Sequence, residues 1–164
     1  MTLSFRLATA ADVPALAALY RDTALALGPQ AYTPEQVAAW ARSTDDAEHF
    51  ARYILDADTW VAECEDGAGP PRGFCGIAIH GPTGEVHSLY VRASLTRQGL
   101  GSALLAHALD HARATGAARF EAWATPFSKP VFERAGFRLE RVVSEPYQGV
   151  WFERYRMSTG MATA

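Results

Sequence analysis

Apolar positions along this chain change period several times, and each change marks an element. Phe5 to Ala8 reads as a short strand. From Val13 the apolar side chains fall at Val13, Leu16, Ala17, Tyr20, Ala24 and Leu27, one stripe of an amphipathic helix. Asp12 stands where a cap is wanted and Pro14 is tolerated in the first turn; Gly28-Pro29 ends the pattern. Thr33-Pro34-Glu35-Gln36 is a capping box that opens a second helix through Val37, Trp40 and Ala41. Asp45 or Asp46 opens a third helical segment, with Phe50, Tyr53 and Ile54 inward.

The period then shortens. Thr59 to Cys64, Phe74 to His80 and Val86 to Val91 read as three strands. Between the first two, Glu65 to Gly73 is rich in glycine and proline, as exposed turns are. Gly81-Pro82-Thr83-Gly84 is a tight connection, so the three strands suggest an antiparallel meander. Leu104, Ala108 and Ala112 restore helical spacing over Gly99 to Thr115, with Gly116 as the cap. Arg119 to Trp123 is a strand, which completes a βαβ unit. Thr125-Pro126 or Ser128 opens a short helix that Gly136 ends. Phe137 to Val143 and Val150 to Met157 are two last strands, and residues 1–157 form one domain. Ser158 to Ala164 reads as a frayed, disordered tail.

Chemistry concentrates between the Val86–Val91 strand and the long helix. Arg92 and Arg97 lie in that turn, and no Asp or Glu occurs from Val86 to Leu109. Gly99 and Gly101 let a backbone come close to a ligand. The first turn of a helix carries unpaired N–H groups and the positive end of its dipole. No Ser, Thr, Asn or Asp stands immediately before Gly99 to cap them, which leaves them for an anion such as a phosphate. A dinucleotide fingerprint needs a third glycine where Leu104 stands. A Walker loop needs Gly-Lys-Ser/Thr where this chain has Gly-Leu-Gly-Ser. Read alone, the turn fits either another phosphate site or a plain strand–turn–helix junction.

Bulk properties narrow the classes. A chain of 164 residues suits one domain with a proper core. A net charge of −3 argues against a general nucleic-acid binder. No apolar run approaches the roughly 18 residues of a membrane span, and a signal-peptide pattern is lacking, so a cytoplasmic location is expected. Cys64 and Cys75 fall in separate strands, as buried thiols would. His107 and His111 share a helix face but have no third ligand nearby, so no metal is expected.

Thr96-Arg97-Gln98-Gly99-Leu100-Gly101 resembles the Gln/Arg-x-x-Gly-x-Gly/Ala pyrophosphate loop of the GNAT superfamily of acyl-CoA-dependent N-acetyltransferases, with Thr96 departing from the usual Gln or Arg. Val131-Phe132-Glu133-Arg134-Ala135-Gly136-Phe137 is similar to the family's Phe-Tyr-Glu-Lys/Arg-x-Gly-Phe segment. The element order matches over nearly the whole chain. The resemblance implies an α/β GNAT fold. Its mixed, mostly antiparallel sheet of about seven strands would be flanked by about four helices and splayed between strands 4 and 5. It implies acetyl-CoA as co-substrate and, as acceptor, a small-molecule or peptide amine, with room for a homodimer and no part for nucleic acid or membrane.

By the same resemblance, Leu89, Tyr90 and Val91 would pair with the pantetheine arm. Thr96, Arg97, Gln98, Gly99, Leu100, Gly101 and Ser102 would hold the pyrophosphate, and Trp123 and Ser128 would stand across the gap. Acetylation of an amine needs a base, because an ammonium is no nucleophile. Glu85, at a position where some family members place one, and His87 alternate along one strand and so share a face. Either can serve, directly or through water. The family's usual acid, a Tyr, falls at Phe132 and its usual Asn at Phe127; Ser128, Thr125, Tyr147 and Tyr155 are the candidate substitutes. Trp40 and Tyr32 are candidate walls for the acceptor. The expected function is N-acetyl transfer by direct attack in a ternary complex; the alternative is an acyl-CoA-binding sensor with little catalysis.

Overall fold

The structure is a computed structural model that describes residues 2–160. Seven strands form one sheet: β1 (Leu3–Leu7), β2 (Asp58–Cys64), β3 (Gly73–His80), β4 (Thr83–Val91), β5 (Arg119–Ala124), β6 (Arg138–Tyr147) and β7 (Val150–Ser158). Their spatial order is β1-β2-β3-β4-β5-β7-β6. Only β4 and β5 run parallel; every other neighbouring pair is antiparallel. The expected meander is therefore β2-β3-β4.

Among the described residues five helices accompany the sheet, in the places the periodicity marked: α1 (Val13–Leu27), α2 (Pro34–Ala41), α3 (Ala47–Leu55), α4 (Leu100–Ala114) and α5 (Lys129–Arg134). Alternation along the strands sends side chains to opposite faces, and two cores result. On one face Leu104, Leu105, Ala108 and Ala112 of α4 pack with Trp60, Ala62, Ile77, Val86, Phe120 and Phe132. On the other, Leu16, Leu19 and Tyr20 of α1 pack with Trp40, Phe50, Ile54, Val61 and Phe74. Trp60, Val61 and Ala62 thus face alternate sides, as the pleat requires. Among the described residues no helix is long and apolar enough to cross a membrane.

Local chemistry accounts for the boundaries, with two corrections. The Thr33 capping box is formed: Gln36 N donates to Thr33 Oγ1 at 3.2 Å and Thr33 N to Gln36 Oε1 at 2.9 Å. Asp12 does not cap α1. Its carboxylate is taken by Arg6, at 2.8 Å to each oxygen, and by the Thr9 N–H at 2.7 Å. An arginine fork satisfies a carboxylate more completely than one main-chain donor. Nor does the last strand stop at Met157. Ser158 is its final residue and is buried, and Thr159 exchanges hydrogen bonds with the main chain of Phe120 at 2.9 Å. The rest of the expected tail, residues 161–164, lies outside the described residues.

Two irregularities shape the middle of the sheet. In β3–β4 pairing Ile77 stands opposite Val86 but Gly76 stands opposite Ser88, so His87 is an extra residue, a β-bulge. Val86 and Leu89 then both pack towards α4, while Tyr90 joins the α1 side. The parallel pairing of β4 with β5 covers Thr83–Val86 opposite Arg119–Ala122 and stops there. Both strands continue beyond it, β4 to Val91 and β5 to Ala124.

Candidate active site

The site opens where β4 and β5 part. A cleft of about 820 Å3 runs from His87, Leu89, Tyr90 and Val91 on β4, past Trp123 and the Thr125–Ser128 turn, to the loop before α4. Of that loop Thr96, Arg97, Gly99, Gly101 and Ser102 line the cleft. Gln98 and Leu100 do not; Gln98 is exposed, and Leu100 is 6% exposed and belongs to the core under α4. Arg92 also turns away, donating to the carbonyl of Pro71 at 2.8 and 3.1 Å. Arg134 of α5 joins Arg97 in the cleft lining, a placement that no spacing in the sequence announced.

Gly99 stands just before α4 with φ +83° and no side chain to cap the helix, and the first turn holds no acidic residue. A Cβ at Gly99 would meet nothing within 4 Å, so the backbone there faces open space. Arg97 has φ +63°, a left-handed conformation that costs a non-glycine residue free energy. Open amide donors at the positive end of a helix, two guanidinium groups and no carboxylate among the cleft residues make a fitting seat for a pyrophosphate.

At the other side the cleft joins a chamber of about 210 Å3, with which it shares Trp40, His87, Tyr90, Trp123 and Thr125. Most of the chamber wall is aromatic. Tyr32 meets Trp40, Phe127 and Phe152 edge-on at 5.7, 5.6 and 5.3 Å, and Trp40 stacks on Phe127 at 5.8 Å. The Trp40 indole N–H donates to the Tyr90 hydroxyl at 3.3 Å. Burial pushes Tyr32 up to about 12 and Tyr53 and Tyr90 well above the usual phenol range, so these hydroxyls stay protonated. The β6–β7 hairpin closes one side. Tyr147 and Ser43 share a short hydrogen bond, Gln36 donates to the Trp151 carbonyl at 2.8 Å, and Arg42 donates to the Gln148 carbonyl at 3.3 Å.

His87 lines both spaces. Its ring stacks on Tyr53, and its Nε2 is buried with no hydrogen-bond partner among the described residues. Burial holds the imidazole below its ordinary value, against the pull of nearby Glu85. Glu85 lines neither space: it sits within the paired part of the sheet, opposite Ala78 and Glu121.

The hydroxyls separate similarly. Ser128 and Thr125 line the cleft and bond one another at 3.2 Å; Tyr147 lines the chamber and Tyr155 neither. Phe132 is 3% exposed, against Phe137 at 5.0 Å, with no hydroxyl to give. Other reactive side chains are structural. His107 and His111 both flank Trp60, at 4.4 and 4.8 Å. Cys64 and Cys75 are free and buried, and burial pushes the Cys75 thiol up to about 12. No cluster of potential metal ligands occurs among the described residues.

Comparison with known proteins places the fold in a family. The YafP protein of Escherichia coli strain K12, described as an uncharacterized N-acetyltransferase, is 27% identical over 146 residues, 89% of this chain and 88% of its own. A crystal structure of a GCN5-related N-acetyltransferase from Rhodopseudomonas palustris superposes with a TM-score of 0.87 at 24% identity, over 98% of this chain and 97% of its own. The PaiA N-acetyltransferase of Thermoplasma acidophilum, solved in complex with coenzyme A, has the same fold, with a TM-score of 0.76 at 18% identity over 97% and 99% of the two chains. The model of the acetyltransferase (GNAT) family matches residues 25–137. The chain belongs to that family, whose members move the acetyl group of acetyl-CoA to an amine.

Proposed function

We propose that the cleft seats acetyl-CoA and that His87 accepts the proton of the acceptor amine. The observation that carries this reading is the opening at His87. There β4–β5 pairing has ended, the bulge turns the imidazole towards the chamber, and the cleft leads on to the uncapped start of α4.

In this reading Arg97, Arg134 and the main chain of Gly99 to Ser102 hold the pyrophosphate. Thr96 lies beside them, with Gln98 and Leu100 contributing backbone alone. Main-chain groups of Leu89, Tyr90 and Val91, left unpaired on the β5 side, bind the pantetheine arm as a further strand would. Trp123 and Ser128 face it across the gap. Acetyl-CoA supplies an acetyl group already activated as a thioester. The acceptor nitrogen bonds to the acetyl carbon as the carbon–sulfur bond breaks, in one ternary complex. The amine proton passes to His87 at Nδ1, because Nε2 is sealed. A neutral imidazole is ready for this at pH 7, and Glu85 is kept from it by its place in the sheet. With phenylalanine at position 132, the coenzyme leaves as a thiolate and water protonates it.

Thermal shift with coenzyme A, followed by thiol release over a panel of amines, tests the proposal. A shift is expected, with turnover that His87→Gln lowers at least a hundredfold and Glu85→Gln far less. A cofactor-induced shift without turnover of any amine would favour a binding module. Equal loss in the two variants would remove His87 from its assigned role.

A further inference from the structure

The chamber carries chemistry of its own, and its walls define what it can hold. We propose that the acceptor is a small primary amine with an aromatic body and a carboxylate, its ring in the chamber and its carboxylate on Arg154. The proposal rests on the acetyl-transfer reading above and adds the substrate class to it.

Size comes first. At about 30 Å3 of liquid volume per water, a space of about 210 Å3 displaces about seven waters. That matches one amino acid or a single-ring amine as the part the chamber holds.

Wall chemistry comes second. The polar atoms of the wall are largely engaged within it: Trp40 with Tyr90, Ser43 with Tyr147, and Tyr53 with the carbonyl of His87. Of what remains towards the space most is ring carbon, with Tyr32, His49, Thr125, His87 and Arg154 as the polar points. Offset or edge-on contact with such rings favours a flat unsaturated body over a polar chain.

Charge comes third. Among the described residues no Asp or Glu lines the chamber, so a second ammonium on the acceptor would find no counter-charge there. Arg154 is the one permanent cation in the lining. It lies over the Trp123 ring at 5.0 Å and is anchored by an ion pair with Glu145, which is itself outside the lining. Among the described residues its remaining N–H groups have no other hydrogen-bond partner. A guanidinium fixed at one corner, with donors to spare, is suited to a carboxylate. His87, on the side shared with the cleft, is left for the amine.

The test measures kcat/KM by thiol release at saturating acetyl-CoA. The panel holds L-phenylalanine, L-tryptophan and 3-aminobenzoate as carboxylated aromatic amines. Phenethylamine has the body of phenylalanine without the carboxylate; spermidine and a lysine-containing peptide represent the other classes. At least one carboxylated aromatic amine is expected to be the best substrate, and phenylalanine to exceed phenethylamine at least tenfold. In Arg154→Met that ratio falls at least tenfold, through KM for the carboxylated amine. Arg154→Lys keeps part of it, which separates lost charge from lost packing. Preference for phenethylamine, spermidine or the peptide, an unchanged ratio in Arg154→Met, or an acetyl-CoA shift with no turnover of the carboxylated amines would each overturn the proposal. Turnover of another class would leave the acetyl-transfer reading standing, whereas loss of the acetyl-CoA shift itself would take that reading down as well.

Discussion

Tyr53 and His87 lie face to face, with ring centroids 4.9 Å apart and planes 22° from parallel, and the Tyr53 hydroxyl donates to the carbonyl of His87 at 3.1 Å. One residue of α3 therefore fixes both the ring and the main chain of the bulge. Tyr53→Phe keeps the stack and removes one hydrogen bond, worth about 1 kcal/mol of stability. Turnover should fall a few-fold. Tyr53→Ala removes the ring as well, at about 3 kcal/mol, and turnover should fall by a further tenfold or more. Urea unfolding and steady-state kinetics on the pair decide it. Equal turnover in the two variants would mean that the stack does not orient His87.

The pH dependence of His87 has a definite sign. Burial lowers its folded-state pKa below 6.5, so the unfolded chain takes up the proton first as pH falls. Stability from this group is whole above pH 6.5 and declines as pH falls below it. Activity follows the same limb: the wild-type to His87→Gln ratio of kcat/KM should be level above pH 6.5 and fall below it. Taking the ratio cancels the titration of the acceptor amine. A ratio that fell with its midpoint above pH 6.5 would exclude His87 as the base, since burial moves that midpoint down.

Two glycines near one another in sequence should respond oppositely. Gly101 sits inside α4, where a Cβ would meet Val91 at 3.5 Å and Val131 at 3.9 Å, ordinary contacts. Gly101→Ala should raise stability by about 0.5–1 kcal/mol yet weaken coenzyme A binding, because the methyl group intrudes on the cleft. In Gly99→Val the Cβ meets no atom but the residue must hold φ +83°, which costs about 1–2 kcal/mol and disturbs the loop. Titration calorimetry with coenzyme A and thermal unfolding separate the two effects.

Gly76 leaves room for the His87 ring against the neighbouring strand. A Cβ there would stand 2.7 Å from Ser88 Oγ and 2.9 Å from His87 Nε2. Gly76→Ala must therefore displace one or both, with a stability loss of about 1–3 kcal/mol. The expected signature is a fall in kcat of at least tenfold with coenzyme A affinity kept. Loss of cofactor affinity with kcat intact would mean that the displacement runs towards the loop instead.

Acid should strip one contact from the first strand. Arg6 holds Asp12 down to about 2. The stabilisation is complete above the unfolded value of 3.8 and is lost as pH falls towards about 2. Arg6 is 39% exposed, so the pair is worth no more than about 1 kcal/mol. Arg6→Met should show a smaller loss of stability between pH 4 and 2 than the parent does.

Much of this architecture could be read before any coordinates. Helical and strand periods located every strand and helix to within a few residues, because both cores use simple alternation. The uncapped Gly99 and the arginine of the loop were visible as residue types at fixed spacing. The bulge was not: nothing in Val86-His87-Ser88 marks an extra residue, since the cause lies across the sheet in Gly76, which leaves room for it. The same shift separates His87 from Glu85, which spacing alone had kept equivalent. Asp12 misled because its partner, Arg6, is a side chain on another element. The chamber was legible only in part, through Trp40 and Tyr32, since its other walls come from distant elements that only the fold assembles.

The unfinished ladder between β4 and β5 also bears on exchange with solvent. Amides of Thr83 to Val86 have partners on both flanks, whereas from His87 to Val91 those turned towards β5 have none. In deuterated buffer the second group should label quickly in the unliganded protein although it lies in the centre of a seven-stranded sheet. A molecule laid along that side would slow the labelling, so the sheet itself reports when the gap is filled.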